Sequence, residues 1–264
     1  LTPFSGKEPI ADVYIAMGET AENVAELKSI SREEMDRFAQ QSQERAVEAQ
    51  KNGLFEREIT PIPLFPEDGA TQVGENEEAT WVEIDDGPRP SSTYEKLASL
   101  EPAFRPDGKV TAGNSCPLND GAAVVLVMEE EKAKAAGFKP RVRIIASAVS
   151  ALRPEIMGLG PVEAVRKVLA LANMKIDDIE VVELNEAFAA QVIPVCREIG
   201  VDPFSDKLNP HGGAIALGHP FGMTGSRIMN TLMNDLESLD RTIGLETMCV
   251  GGGQGMAMIV ERIN

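Results

Sequence analysis

The chain has 264 residues, 43% of them hydrophobic and 25% charged. That is the composition of a globular protein able to bury a sizeable core in one large or two modest domains, so disordered and fibrous classes are excluded. Acidic residues outnumber basic ones 42 to 25, a formal net charge of -17, which excludes a nucleic-acid partner but not a small phosphorylated ligand held by a few local Lys or Arg.

The first residue is Leu rather than Met, so the chain reads as processed, excised or preceded by further residues. No secretory pattern and no run of eighteen apolar residues is present, which predicts a cytoplasmic protein with no membrane partner. Three Cys without a CxxC fit a reducing compartment.

A short helix is expected over residues 20–28. Ser31-Arg32-Glu33-Glu34 is a capping box opening a long amphipathic helix that runs to Gly53. A β-like stretch follows at 59–64, then a solvated acidic loop over 66–86, with no Lys or Arg between Arg57 and Arg89, a strand at 81–84 and a helix at 94–100. From Asp120 the texture becomes regular. Strands are expected at 122–128, 142–149, 180–184, 242–250 and 256–262, and helices at 130–136, 161–172, 187–199 and 226–239. This β-α-β-α-β-α-β-β order predicts an α/β fold with a mixed sheet covered by helices, preceded by a less regular α+β part; the boundary falls near 113–120.

Four places carry candidate chemistry. The only two His, His211 and His219, share a glycine-rich segment, and an imidazole between Gly218 and Pro220 suits catalysis as well as it suits a surface loop. Two His without a paired carboxylate or Cys at ligand spacing fall short of a metal site. Cys249 ends an apolar strand and opens Gly251-Gly252-Gly253-Gln254-Gly255. It is either a thiol activated by backbone N–H groups or a buried strand Cys before a tight turn. Asn185 stands between strand and helix, where an amide either caps the helix or holds a water. Cys116 is a weaker nucleophile candidate, with Pro117 after it and no helix start aimed at it.

Together these segments resemble the thiolases, the family that joins or cleaves acyl-CoA at the 3-keto position. The matching text is MGETAEN at 17–23, TAGN at 111–114 with LNDGAA at 118–123, NEAF at 185–188, GGAIALGHP at 212–220 and CVGGGQG at 249–255, ordered along essentially the whole chain. The resemblance implies two similar α/β halves with a loop domain inserted in the first. Residues 1–115 would be most of the CoA-binding loop domain and 116–264 the complete second half, so the first half and its nucleophilic Cys are expected to be missing from this chain.

Carried over residue by residue, the resemblance makes His219 the general base, Cys249 the acid/base, Asn185 the holder of a water that with His219 binds the enolate oxygen, and the Gly251 N–H a second oxyanion donor. Arg89, Leu100 and Phe104 resemble adenine and pantetheine contacts, and Met17, Met157 and Phe188 the acyl pocket wall. Cys116 stands where the family has a Ser contacting the pantetheine arm, and a thiol is a poorer donor there. No bound cofactor is implied; CoA is substrate and product. A homodimer or homotetramer is implied too. Ala16, where biosynthetic acetoacetyl-CoA thiolases resemble one another in having His, favours a degradative 3-ketoacyl-CoA enzyme of fatty-acid β-oxidation. The alternatives are a biosynthetic thiolase and a non-catalytic CoA-binding subunit or remnant.

Overall fold

The computed structural model describes residues 13–64 and 80–263. Helix α1 (Met17–Leu27) is followed by α2 (Arg32–Lys51), whose start is the expected capping box: the Ser31 side chain accepts from the Glu34 N–H and Glu34 reaches back to the Ser31 N–H. The buried stripe of α2 (Met35, Phe38, Ala39, Ala46, Ala49) recurs at helical spacing and faces the rest of the fold. Strands β1 (Ile62–Leu64) and β2 (Thr80–Val82) pair as a small exposed antiparallel ribbon. Most of the expected acidic loop lies outside the described residues. Helix α3 (Tyr94–Ala98) is capped by Thr93.

The layered part contains α4 (Glu130–Ala135), β3 (Val142–Ala151), α5 (Gly160–Ala172), β4 (Val181–Leu184), α6 (Ala189–Ile199), the one-turn α7 (Ala214–Leu217), α8 (Thr224–Ser238), β5 (Ile243–Val250) and β6 (Gln254–Arg262). The sheet order is β3-β6-β5-β4; β4 and β5 are parallel and the other neighbours antiparallel. Side chains alternate between two cores. Val182, Leu184, Leu245 and Ile259 face the large core shared with α5, α6, α1 and α2, while Val181 and Val260 meet Leu232 and Leu236 of α8. Helices therefore cover both faces, as expected.

Two close approaches fix the site end of this layer. A Cβ on Gly255 would lie 2.1 Å from the Gly160 carbonyl carbon, so the α5 N-terminus seats directly on the β5–β6 turn only because both positions are glycine. Gly253, at φ 92°, turns the chain where an L side chain is strained.

One expectation is corrected. Residues 122–128 form no strand: Val124 is 84% and Leu126 68% exposed, and no strand edge of the described residues pairs with them. Val125 rests on the α8-side core, and Asn230 Nδ2 donates to the Val124 carbonyl at 3.2 Å. Their continuous apolar run, Ala122 to Met128, is strand-like, but β-propensity is expressed only beside a partner strand.

Candidate active site

Asn185 leaves the C-terminal end of β4, and its backbone N–H continues the ladder to the Thr247 carbonyl at 3.0 Å. It is not a helix cap, since α6 begins only at Ala189. Cys249 stands near the C-terminal end of the neighbouring parallel strand β5, and the outer ends of parallel strands are where open α/β sheets place their ligands.

His219 is brought to Asn185 by the glycine-rich segment: Asn185 Nδ2 and His219 Nε2 are 3.3 Å apart, and His219 Nδ1 and Thr224 Oγ1 are 2.7 Å apart. The Thr224 hydroxyl donates its own proton to the Pro220 carbonyl at 3.0 Å. It must therefore accept from Nδ1–H, which leaves Nε2 with a lone pair. Burial, and secondarily the positive charge of Arg227, push the His219 pKa down. The result is a neutral imidazole whose basic nitrogen faces the Asn185 amide. Asn185 is fully buried, and its Oδ1 has no hydrogen-bond partner among the described residues. An amide oxygen in that state suits a bound water. His211 is different: its Nδ1 is tied to Asp235 Oδ1 at 2.5 Å. Beside His219, Leu118, Asn119, Asp120, Pro220 and Phe221 line an open cleft of about 350 Å³. The Phe221 ring stands edge-on to the imidazole at 5.4 Å.

Cys249 packs with Met157 and Ala187, and Met17 and Phe188 close this cluster. The three side chains expected to wall an acyl pocket thus meet around the expected acid/base thiol. Phe104 joins them edge-on to Phe188 at 6.2 Å, over Gly18, where a Cβ would lie 2.2 Å from the Phe104 ring. Cys116 is joined to the same region by its backbone N–H, which donates to the Ala187 carbonyl at 3.0 Å. Burial pushes the Cys249 thiol up to about 12, with the nearby Cys116 adding to the rise, and pushes Cys116 up to about 11. At Cys249 burial outweighs the opposing backbone donor. Cys196, the third Cys, is fully buried in α6.

The remaining expected residues are more dispersed. The Leu100 carbonyl accepts from Arg32 at 2.8 Å, and its side chain lies against Gly113. Arg89 is exposed; its backbone N–H donates to Gln43 at 2.7 Å, and no ion pair among the described residues takes its guanidinium. Gly251 is exposed at the opening of the β5–β6 turn. No group of His, Cys, Asp and Glu among the described residues could hold a metal ion.

Sequence reasoning missed the residues that hold these groups in place. Glu186 is buried and accepts from Ser42 at 2.5 Å, Asn209 at 2.8 Å and the Ile215 N–H at 3.2 Å, tying the glycine-rich segment to α2. Burial raises its pKa, while these donors oppose the rise. A Cβ on Gly213 would lie 2.3 Å from the Glu186 carboxyl carbon, so a larger residue there would have to displace that carboxyl. Thr224 carried only a weak signal, a hydroxyl residue at a helix start.

Comparison with known proteins gives matches to the family models "Thiolase, N-terminal domain" over residues 7–131 and "Thiolase, C-terminal domain" over 138–262. The chain is 46% identical over 248 residues to a 3-oxoadipyl-CoA/3-oxo-5,6-dehydrosuberyl-CoA thiolase of Escherichia coli (94% of this chain, 60% of the relative). It is 44% identical over 258 residues to a 3-ketoacyl-CoA thiolase of Bacillus subtilis (96% and 64%). Among solved structures, the Bacillus anthracis acetyl-CoA acetyltransferase superposes with a TM-score of 0.87 at 42% identity, covering 94% of this chain and 60% of that one. Human mitochondrial 3-ketoacyl-CoA thiolase superposes with a TM-score of 0.83 at 39% identity, with the same coverage. The chain spans about 60% of the length of the curated relatives it matches.

Proposed function

The chain belongs to the thiolase family, and from that premise we propose that it supplies the base, the enolate-binding groups and part of the CoA site of an acyl-CoA C-acyltransferase. The observation that carries this reading is the His219 tautomer, a lone pair at Nε2 held by the Thr224 bond at Nδ1. In the degradative direction, Nε2 takes the proton of a nucleophilic thiol supplied from outside this chain. The thiolate adds to the 3-keto carbon, and the bond between C2 and C3 breaks. The acyl group stays on the thiol, and the electron pair leaves as the enolate of acetyl-CoA. The imidazolium Nε2–H and a water on Asn185 Oδ1 face the enolate oxygen, with preorganised donors of this kind typically worth ~10²–10³ in rate each.

The Cys249 thiol, held protonated in the resting state, gives its proton to the enolate carbon and releases acetyl-CoA. Its thiolate then takes the proton of incoming CoA, which attacks the acyl group and restores the first thiol. Gly251 serves as the second oxyanion donor; Arg89, Leu100, Phe104 and Cys116 line the path of the CoA arm, and Met17, Met157 and Phe188 the acyl wall. Residues 1–115 act as the CoA-binding loop domain and 116–264 as the second half, in a homodimer or homotetramer. Alone, the chain turns nothing over.

Cys249→Ser in the whole enzyme tests this. The variant is expected to accept an acetyl group from acetyl-CoA yet lose exchange of acetyl α-hydrogens with deuterated water. Exchange at the parent rate in a folded variant would remove Cys249 from proton transfer.

A further inference from the structure

Beneath the catalytic tier lies a second, buried tier of charge that the proposed reaction does not consume. Asn185 and His219 sit above; two residues back along β4 is Glu183, and one turn along α8 from Thr224 is Arg227. Arg227 Nη1 lies 4.0 Å from Glu183 Oε2, with the two side chains 12% and 1% exposed. None of the three guanidinium nitrogens makes a hydrogen bond among the described residues, and all three are shielded from water. An Arg placed merely to neutralise Glu183 would grip it at hydrogen-bond distance, commonly in a two-pronged pair.

The acids around Arg227 surround its guanidinium without giving it a hydrogen bond. Glu246 stands opposite Glu183 in the parallel β4–β5 register. Burial, and secondarily the charge of nearby Asp235, whose Oδ1 holds His211, keep the Glu183 carboxyl far above the ordinary carboxylate range. Burial likewise lifts Glu246 to about 8. Glu58, which accepts from Thr231 and Asn234 of α8, and Asp85 also feel Arg227, and burial raises both. On the solvent side the one charged residue lining the His219 cleft is Asp120, which is exposed and therefore screened.

We propose that Arg227 is a positioning residue of this site: a buried guanidinium without a hydrogen bond, one turn along α8 from the Thr224 that holds His219 Nδ1, whose field keeps the Nε2 lone pair ready for the nucleophile's proton. The proposal rests on reading His219 as the general base. The helix start at Thr224 acts in the same sense, since its positive end also disfavours an imidazolium.

With only two His in the chain, nitrogen-15 imidazole spectra resolve both rings, and His211→Gln assigns them. The measurement is the titration midpoint and tautomer of His219 in the parent, Arg227→Gln and Arg227→Lys. The parent is expected as the Nδ1–H tautomer. Arg227→Gln should move the midpoint to higher pH, Arg227→Lys should bring it back toward the parent, and Glu246→Gln should leave it in place. An unmoved midpoint in folded Arg227→Gln, or a Lys variant that titrates like the Gln variant, overturns the proposal. Should the Gln variant not fold, Arg227→Met provides the uncharged comparison at similar volume. In the whole enzyme, Arg227→Gln should move the acid limb of kcat/KM upward by the same shift. A parent without thiolysis activity would sink the proposed function, whereas the imidazole titration would still decide the role of Arg227.

Discussion

Glu246→Gln gives a stability test with a defined sign. Glu246 Oε2 is buried without a hydrogen bond among the described residues, and burial lifts the carboxyl from 4.5 to about 8 against the opposing pull of Arg227. In the unfolded chain the group ionises near its ordinary value; in the folded protein it keeps its proton until the pH passes about 8. The native state therefore binds more protons across this window, and stability falls as pH rises from 4.5 toward 8 and then levels off. At about 1.36 kcal/mol per unit, the ceiling is about 5 kcal/mol. Glu246 is only partly enclosed, so solvent screening brings the expected effect to about 2–3 kcal/mol. Gln keeps the shape and removes the ionisation. Denaturant melts at about pH 5.5 and about pH 8.5 should show the variant gaining about 2–3 kcal/mol over the parent as pH rises. The large negative charge acts on both proteins almost alike, so the difference isolates this carboxyl. A pH-independent difference, or a variant that loses ground at high pH, would refute the reasoning.

Other outcomes follow from the same geometry. Gly213→Ala should cost about 1–3 kcal/mol in a thermal melt, because the new methyl group displaces the Glu186 carboxyl; a neutral result would show that the carboxyl has room to move. Thr224→Val should lose the Nδ1–H preference of His219 in nitrogen-15 spectra, since Thr224 supplies its acceptor, and persistence of that tautomer would point to another partner. Acetyl-CoA mixed with the 264-residue chain should leave both Cys116 and Cys249 unmodified in peptide mass spectra, because burial holds both thiols protonated. A stable acetyl adduct on either would falsify the roles given to them.

Local signals carried the regular part of the fold. The Ser31–Glu34 box, Pro161 in the first turn of α5 and the left-handed Gly137 and Gly200 mark helix ends by backbone chemistry that needs no tertiary context. The segment 122–128 shows where such reading stops, since an apolar run says that a segment suits burial but not whether a neighbouring edge exists. The same limit applies to charge. Arg227 reads as an ordinary helix-surface residue and Glu186 as an acid near a helix start, yet both are enclosed by elements distant in sequence. The resemblance singles out His219, but spacing and composition alone do not say what keeps His211 from the same role. The fold distinguishes His211, bonded to Asp235, from His219, whose basic nitrogen faces Asn185.

Thiolysis of a 3-ketoacyl-CoA by the whole enzyme, compared with its His219→Ala and His211→Ala variants, tests the central assignment most directly. General-base catalysis and one enolate donor are both lost with the His219 ring, so kcat should fall by at least ~10³. His211→Ala should lose far less, its ring being held away from Asn185 by Asp235. Equal losses at the two positions, or turnover that survives in a folded His219→Ala variant, would contradict the assignment of His219 as the base.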